Sequence, residues 1–572
     1  MFKKTFILLA TMVALVWAQV DWSANNITIT TEAELRELAQ WVEYGHDFSG
    51  KVIALGADIE LTSEWKPIGN EKNKFRGTFD GSGKSISNIS VSGVQYAGLF
   101  GYVDRGGQIK NLIVNVANIT TKARYETYAG GLVGYYASEN TIENCGVNVK
   151  NSVYANYSGG LAGYTKGTIT IINSYAIGDV FGKRRGPTDS FYSGGLVGYS
   201  HSEILRQSNE SYYLNEIVII NSHATGNVSN GMDKYDRGAL GSLGGLIGYG
   251  NVTITDSYAT GDVSGYLSGG LVGSGPAAII NSYATGNVSG SSWSGGLVGD
   301  GKARIINSYA TGNVSGENTS GGLVGSGTAT ITNSYVTGNV SGEKSGGLVG
   351  SGTATITNSY VTGNVFGKKF SGGLVGSLLG TSGTAIITNC YATGSVSGNN
   401  IVGGLVGENG GKIQNSYVLS GAANMIVGNN EGGTISMTSG FRGDGQMKEK
   451  STYKDWDFVE AWEINSNENN GFPYLYDVGN IAKTREGKYE TYYENGNLWK
   501  TANFKNGKLD GKSEIYYENG KLVETRDYKD GRLIDVEYHI KFVETKKREE
   551  KKSEKSRTKQ GAGRKPRGKG QR

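Results

Sequence analysis

The sequence predicts an all-β chain: a parallel β-solenoid, or β-helix, with a short N-terminal capping helix, followed by an antiparallel β-hairpin repeat segment and a disordered basic tail. Three observations carry this expectation. The 572 residues hold 91 Gly but only 5 Pro, which is not ordinary globular usage. Leu271, Leu297, Leu323, Leu348 and Leu374 stand 26, 26, 25 and 26 residues apart, while Tyr258, Tyr283, Tyr309, Tyr335 and Tyr360 stand 25, 26, 26 and 25 apart. Two columns that keep one register define a true repeat, because compositional bias alone would not hold phase. Finally, runs such as Ala329 to Tyr335 alternate apolar and polar residues with period two and are soon cut by Gly, so each unit is several short strands joined by tight turns. One unit cannot bury its own apolar face; stacking in register at ~4.8 Å per coil solves this.

Residues 1–18 combine Lys3 and Lys4 with an apolar run from Phe6 to Trp17 and small residues at Ala14 and Ala18. This is the layout of a secretory signal peptide, with cleavage expected after Ala18. No later stretch of about 20 apolar residues follows, so no transmembrane segment is expected after cleavage. Residues 19–90 are read as an N-terminal cap and the first coils. Thr31-Glu-Ala-Glu34 is a capping box opening a helix with apolar positions Leu35, Leu38, Ala39 and Val42, and strand-like runs follow at Val52 to Leu55 and Ile59 to Leu61.

Residues 91–440 hold the repeat, clearest as G-G-L-V-G, an alternating strand, N-S-Y-A/V-T-G and N/D-V-S-G. The leucine spacing stretches to 35 and then 50 residues at Leu161, Leu196 and Leu246, so extra chain is expected there as surface loops. These motifs resemble the GLUG motif of bacterial surface proteins. Trp65-Lys-Pro-Ile-Gly69 and Phe75-Arg-Gly-Thr-Phe-Asp-Gly81 look like the portion that often precedes such arrays. Residues 441–480, with Trp456-Asp-Phe458, Trp462 and Phe472-Pro-Tyr-Leu475, look like the segment that often closes them. The resemblance implies a right-handed β-helix-like solenoid and says little about activity.

Residues 481–545 carry a shorter repeat, Gly487-Lys-Tyr-Glu-Thr-Tyr-Tyr-Glu-Asn-Gly496 recurring as Gly511-Lys-Ser-Glu-Ile-Tyr-Tyr-Glu-Asn-Gly520. Asn495-Gly496, Asn506-Gly507, Asn519-Gly520 and Asp530-Gly531 are hairpin turn pairs, which predicts an antiparallel meander. This segment resembles the bacterial variant of MORN repeats. Residues 546–572 hold thirteen Lys or Arg against three Glu, so a chain of net charge +4 divides into a body at −6 and a tail at +10. A flexible basic tail without aromatic residues points to a polysaccharide or cell-envelope polyanion as partner and away from specific nucleic-acid recognition.

Reactive chemistry is hard to find. GLUG repeats accompany some immunoglobulin-cleaving metallopeptidases, but His46, His201, His223 and His539 are scattered and form no H-E-x-x-H pair. There is no G-x-S-x-G elbow and no phosphate loop. Cys145 and Cys390 each follow an Asn in the phase of the N-S-Y serine, so they are expected as serine substitutes and not as a disulfide. Asp179 and Asp262 occupy a phase that is Asn at Asn227, Asn287, Asn313 and Asn339. Asp233, Asp236 and Arg237 form the best local cluster, in the longest insertion, where a solvated loop is the plainer reading.

The remaining candidates are the aromatic ladder Tyr283, Tyr309, Tyr335 and Tyr360. Facing out, these rings would be stacking platforms for a linear ligand. Facing in, they would be core, and the parity Tyr335 shares with Ile331 and Asn333 favours that alternative. The expected function is a secreted or cell-surface, non-catalytic binding or scaffold protein, adhesin-like and directed at glycan or envelope. No catalytic residue, metal or cofactor is expected; the alternative is a polysaccharide lyase or hydrolase on the same scaffold.

Overall fold

The computed structural model describes residues 20–538 apart from the stretches 122–125, 184–188, 202–203, 208–209, 214–215, 231–240, 381–383, 479–486, 493–496, 506–507 and 530–531 and positions 138, 140, 477 and 518. The signal segment 1–18, the cluster Asp233, Asp236 and Arg237, His539, three of the four turn pairs and the tail 546–572 lie outside the described residues. The chain divides into two compact units. One runs to Tyr453 and takes in Ile464–Asn480; the other joins Lys454–Glu463 to the chain from Ile481 onward.

The first unit is a parallel β-solenoid. Its strands form two long sheets, of 24 and 32 strands among the described residues, and neighbouring strands within both run parallel. A typical coil contributes Val324–Thr332 to one sheet and Tyr335–Val336 and Val340–Gly346 to the other. Like residues of successive coils pair with one another: Val324 meets Val349, Ala329 meets Ala354, Ile331 meets Ile356 and Tyr335 meets Tyr360. Leucines 271, 297, 323, 348 and 374 and isoleucines 279, 305, 331 and 356 therefore stack as fully buried columns. This continuous core is what no single coil could assemble.

The three recurring pieces of the repeat have separate physical causes. The glycines of G-G-L-V-G stand where the chain folds back so closely that no side chain fits. A Cβ on Gly295 would lie 1.9 Å from the Val298 carbonyl oxygen, one on Gly296 1.9 Å from that of Gly322, and one on Gly299 2.5 Å from that of Gly273.

The Asn of N-S-Y marks the corner between the sheets. Asn281, Asn307, Asn333 and Asn358 all adopt φ between 48° and 50°, the left-handed region that Asn tolerates better than other side-chain-bearing residues. Their amides form a ladder in which Asn333 Nδ2 donates to Asn307 Oδ1 at 3.2 Å and Asn358 Nδ2 to Asn333 Oδ1 at 3.2 Å. The following Ser points inward and buries its hydroxyl: Ser334 Oγ donates to the Thr332 carbonyl at 2.8 Å and accepts from the Ser308 amide at 3.2 Å.

Both cysteines occupy this serine phase, free and buried, with Cys390 Sγ 3.1 Å from the Thr388 carbonyl oxygen and the Cys390 amide donating to Ser416 Oγ.

The N-terminal end is closed as the capping box predicts. Helix Glu32–Glu43 follows Thr31, whose Oγ1 accepts from the Glu34 amide at 3.3 Å, and Leu35, Leu38, Ala39 and Val42 are its buried residues. Strand Asn26–Ile29 pairs in parallel with Val52–Leu55 to begin the stack. The second insertion, between Leu196 and Leu246, is more ordered than a loop: Ile204–Gln207 and Glu210–Tyr213 pair as an antiparallel hairpin.

The second unit is an antiparallel meander, Gly487–Tyr492, Leu498–Lys505, Gly511–Tyr516, Leu522–Lys529 and Arg532–Tyr538, as its turn residues imply. Lys500 is buried within it and is held by Asp457 at 2.9 Å and Glu460 at 2.7 Å, while Trp456 and Trp462 pack with ring centroids 4.5 Å apart.

Candidate functional site

The predicted tyrosine ladder forms, and it lies on the outside of the solenoid. Period-two alternation runs through Ile331, but the left-handed Asn333 interrupts it, so Ser334 and Val336 turn inward and Tyr335 turns out. The parity argument that favoured a core position fails at that corner residue. Rings from Tyr258 through Tyr391 are 4.8–5.0 Å apart at the centroids and within 7° of parallel. His223 continues the column, 4.7 Å from Tyr258 at 5°.

This geometry also corrects the platform idea, because each ring's faces are already covered by the rings above and below. What Tyr283, Tyr309 and Tyr335 present is ring edges and phenol hydroxyls at the coil spacing. Tyr360 presents neither, being 5% exposed, and Tyr391 is fully buried. Tyr391 donates its hydroxyl to the Pro473 carbonyl at 2.5 Å and accepts from Asn469 Nδ2 at 2.6 Å, so the segment 464–476 caps that end of the column.

A second aromatic feature escaped the sequence reading. Tyr96, Tyr128, Tyr157 and Tyr192 stack as one column with centroids 5.0–5.6 Å apart. Tyr102, Tyr135, Tyr164, Tyr199 and Tyr249 stack as another at 4.5–5.1 Å. The columns stand on either side of the G-G-L-V-G corner and meet edge to face, as in Tyr128 on Tyr135 at 5.4 Å and 83° and Tyr157 on Tyr164 at 5.5 Å and 83°.

Outward side chains on both flanks of a corner touch only where the surface folds inward, so this corner is a notch. The legible signal was Tyr-x-Gly-Gly-Leu-x-Gly-Tyr, present at 128–135, 157–164 and 192–199 and lost from the later coils. Glu126 ties the notch together: its carboxylate accepts from Tyr128 Oη at 2.9 Å and Tyr157 Oη at 3.0 Å. Burial raises the phenols of Tyr96, Tyr199 and Tyr309 to about 12, so these three remain neutral donors at physiological pH.

A cavity lies at each end of the tyrosine-lined stretch. One, of about 550 Å³, is bordered by Lys66, Asn70, Glu71 and Tyr96. The other, of about 470 Å³, is bordered by Tyr249, Ser274, Asp300 and Lys302.

The acidic candidates are structural where they are described. Asp179 Oδ1 accepts from the Asn227 amide at 2.8 Å and Asp262 Oδ1 from the Asn287 amide at 2.7 Å. Asn287 and Asn313 repeat the pattern in the next coils, and this ladder accounts for the N/D-V-S-G motif. The described histidines do not converge: His46 packs edge-on against Trp41, and His223 stands in the tyrosine column. Among the described residues no three His, Cys, Asp or Glu side chains come together, and no helix is long and apolar enough to cross a membrane.

Comparison with known proteins places these features in context. A solved structure described as "Crystal structure of a putative immunoglobulin A1 protease from Bacteroides ovatus" aligns over 79% of this chain and 92% of that one, at 14% identity and a TM-score of 0.18, a likeness too low to carry an argument. The chain is 30% identical over 136 residues to a "Putative Gly-rich membrane protein" of Evansella cellulosilytica; the match takes in 22% of this chain and 15% of that relative's length. Family models match residues 371–397 as the GLUG motif and residues 485–506 and 509–530 as the MORN repeat variant, so the chain carries a GLUG motif in its solenoid and two MORN variant repeats in its hairpin unit.

Proposed function

We propose that this protein is an exported, surface-held binding scaffold that engages a linear polysaccharide along its tyrosine-lined notch without cleaving it. The observation that carries the reading is the pair of tyrosine columns from Tyr96 to Tyr249, whose rings repeat coil by coil on both flanks of the G-G-L-V-G corner. Tyrosine suits such a strip because it couples an apolar ring to a polar tip and loses little conformational freedom on binding. The ladder at Tyr283, Tyr309 and Tyr335 offers a second, flatter strip of the same chemistry.

Export rests on the signal-like layout of residues 1–18, and the name of the Gly-rich relative agrees with an envelope setting. The +10 tail adds attachment to acidic envelope polymers through counterion release, which weakens steeply with salt. Sugar contacts on tyrosine do not depend on displaced counterions and respond little to salt.

The test is retention on immobilised neutral and acidic polysaccharides, comparing the mature chain with one ending at Thr545 at low and raised salt. The reading expects salt-resistant binding to a neutral polymer by both chains, and additional salt-sensitive binding to acidic polymer by the longer one. A chain that retains no polymer, or one whose N-terminus is still Met1 after expression in a bacterial host with its envelope fraction empty, contradicts it.

A further inference from the structure

The second tyrosine column ends abruptly, and what replaces it is chemically distinct. In register with Tyr199 and Tyr249, the following coils place Ser274, Asp300, Ser326, Ser351 and Ser377 at the same position. Tyr249 stacks on Tyr199 at 5.1 Å and 12°, and the next position beyond it in the column is a serine. Removing a ring from a column whose backbone continues unchanged leaves a hole of about 470 Å³, bordered by Tyr249, Ser274, Asp300 and Lys302. Its volume falls in the ~300–1,000 Å³ range of small-ligand sites.

Gly275 and Gly301 supply bare backbone at the base, both at positive φ and each so close to the preceding coil that a Cβ would lie 2.2 Å from a carbonyl oxygen. Evolution of a side chain onto that floor is sterically closed, so the cavity is part of the coil geometry.

Asp300 is the feature that the scaffold does not need. Column neighbours on both sides are serines, so an acid is not required for stacking. Its carboxyl is half-buried, and no hydrogen bond or ion pair within the described residues reaches it; burial alone acts on it and pushes it above the ordinary carboxylate range. A partly desolvated carboxylate without a partner costs stability that the other coils avoid by carrying serine.

An aromatic ring beside a carboxylate and an amine, over a bare backbone floor, suits one ligand class. The C–H face of a pyranose packs on a phenol ring, and its hydroxyls donate charge-assisted hydrogen bonds to the carboxylate and accept from the ammonium.

We propose that the cavity between Tyr249 and Asp300 is a subsite for a neutral sugar unit of a polysaccharide lying in the tyrosine notch. This rests on the polysaccharide-binding reading above and adds its location and selectivity. Tyr249 packs against the sugar ring, Asp300 accepts from two adjacent hydroxyls, and Lys302 donates at the mouth. Uronic acid units are disfavoured, because a second carboxylate would face Asp300 at short range.

The test uses the full chain with soluble neutral hexose polysaccharides and one polyuronate, measured by affinity electrophoresis and calorimetry. Asp300→Asn keeps the shape and removes the charge, while Asp300→Ser and Tyr249→Ser install the residue that Ser274 already carries. Far-UV circular dichroism and the melting temperature should match wild type for Asp300→Asn, which shows that any loss of binding is local. The expected result is about tenfold or greater weakening on the neutral polymer for all three variants, the size of a lost charge-assisted hydrogen bond, and a gain in polyuronate binding for Asp300→Asn. Wild-type binding that the three variants retain in full overturns the subsite and leaves the broader reading standing. Absence of polysaccharide binding by wild type removes both.

Discussion

At the residue scale, the corner asparagine does two jobs. In Asn307 the side chain tolerates a left-handed backbone at φ 49° and also sits in an amide ladder, accepting from Asn333 and donating to Asn281 at 3.3 Å. Replacing it with Ala removes both contributions and should destabilise by about 2 kcal/mol or more, whereas Gly removes only the two ladder bonds and should cost less. Denaturant midpoints ordered wild type, Gly, Ala would bear this out; Ala equal to wild type would show that the corner is unstrained.

The tyrosines give a second test through pH. Burial first, then the charge of the neighbouring Tyr283, raises the Tyr309 phenol to about 12 against an unfolded value near 10. Between those values the unfolded chain has lost protons that the folded chain keeps, so stability is complete below about pH 10 and declines as pH rises toward 12. Spectrophotometric titration of the phenols should show late ionisation coinciding with loss of near-UV circular dichroism. A single titration near 10 with the fold intact would mean that the ladders are solvated.

At the element scale, the coil is the unit of both folding and sequence legibility. Phase was readable because Leu323 and Tyr335 recur at the same interval, and the capping helix was readable because Thr31 and Glu34 form a local signal that depends on no distant contact. The direction of the tyrosines was not readable from alternation, since one left-handed residue at Asn333 shifts which face the next side chain takes. The notch was missed for a different reason. Its two columns are seven residues apart in sequence and meet only because glycines let the corner fold inward, so the pairing is a property of the turn and not of either strand.

Coil autonomy can be tested by removing residues 323–347, which joins Gly322 to Leu348 and rebuilds the same G-G-L-V-G. Nearest-neighbour stacking predicts a folded protein with unchanged β signal and a slightly lower melting temperature. Removal of 323–335 alone breaks register and should collapse folding; equal behaviour of the two deletions would contradict a register-based core.

At the scale of the whole molecule, most side chains that look chemically suggestive are spent on holding coils together. Asp179 and Asp262 accept backbone amides, Cys145 and Cys390 stand in for serine, and the described histidines pack with aromatic rings. What remains facing outward in an organised way is tyrosine, which favours binding over turnover. The central claim is therefore that the solenoid holds a polysaccharide in the Tyr96–Tyr249 notch and releases it intact. The measurement that reaches this claim most directly follows polymer chain length and retention together, on wild type and on a Tyr135→Ser, Tyr164→Ser double variant. These substitutions put into the notch the residue that the same column carries at Ser274. The account predicts retention by wild type with no shortening of the recovered polymer, and at least about tenfold weaker retention by the double variant. Shortened polymer after incubation with wild type, or retention untouched by loss of the two rings, would contradict it.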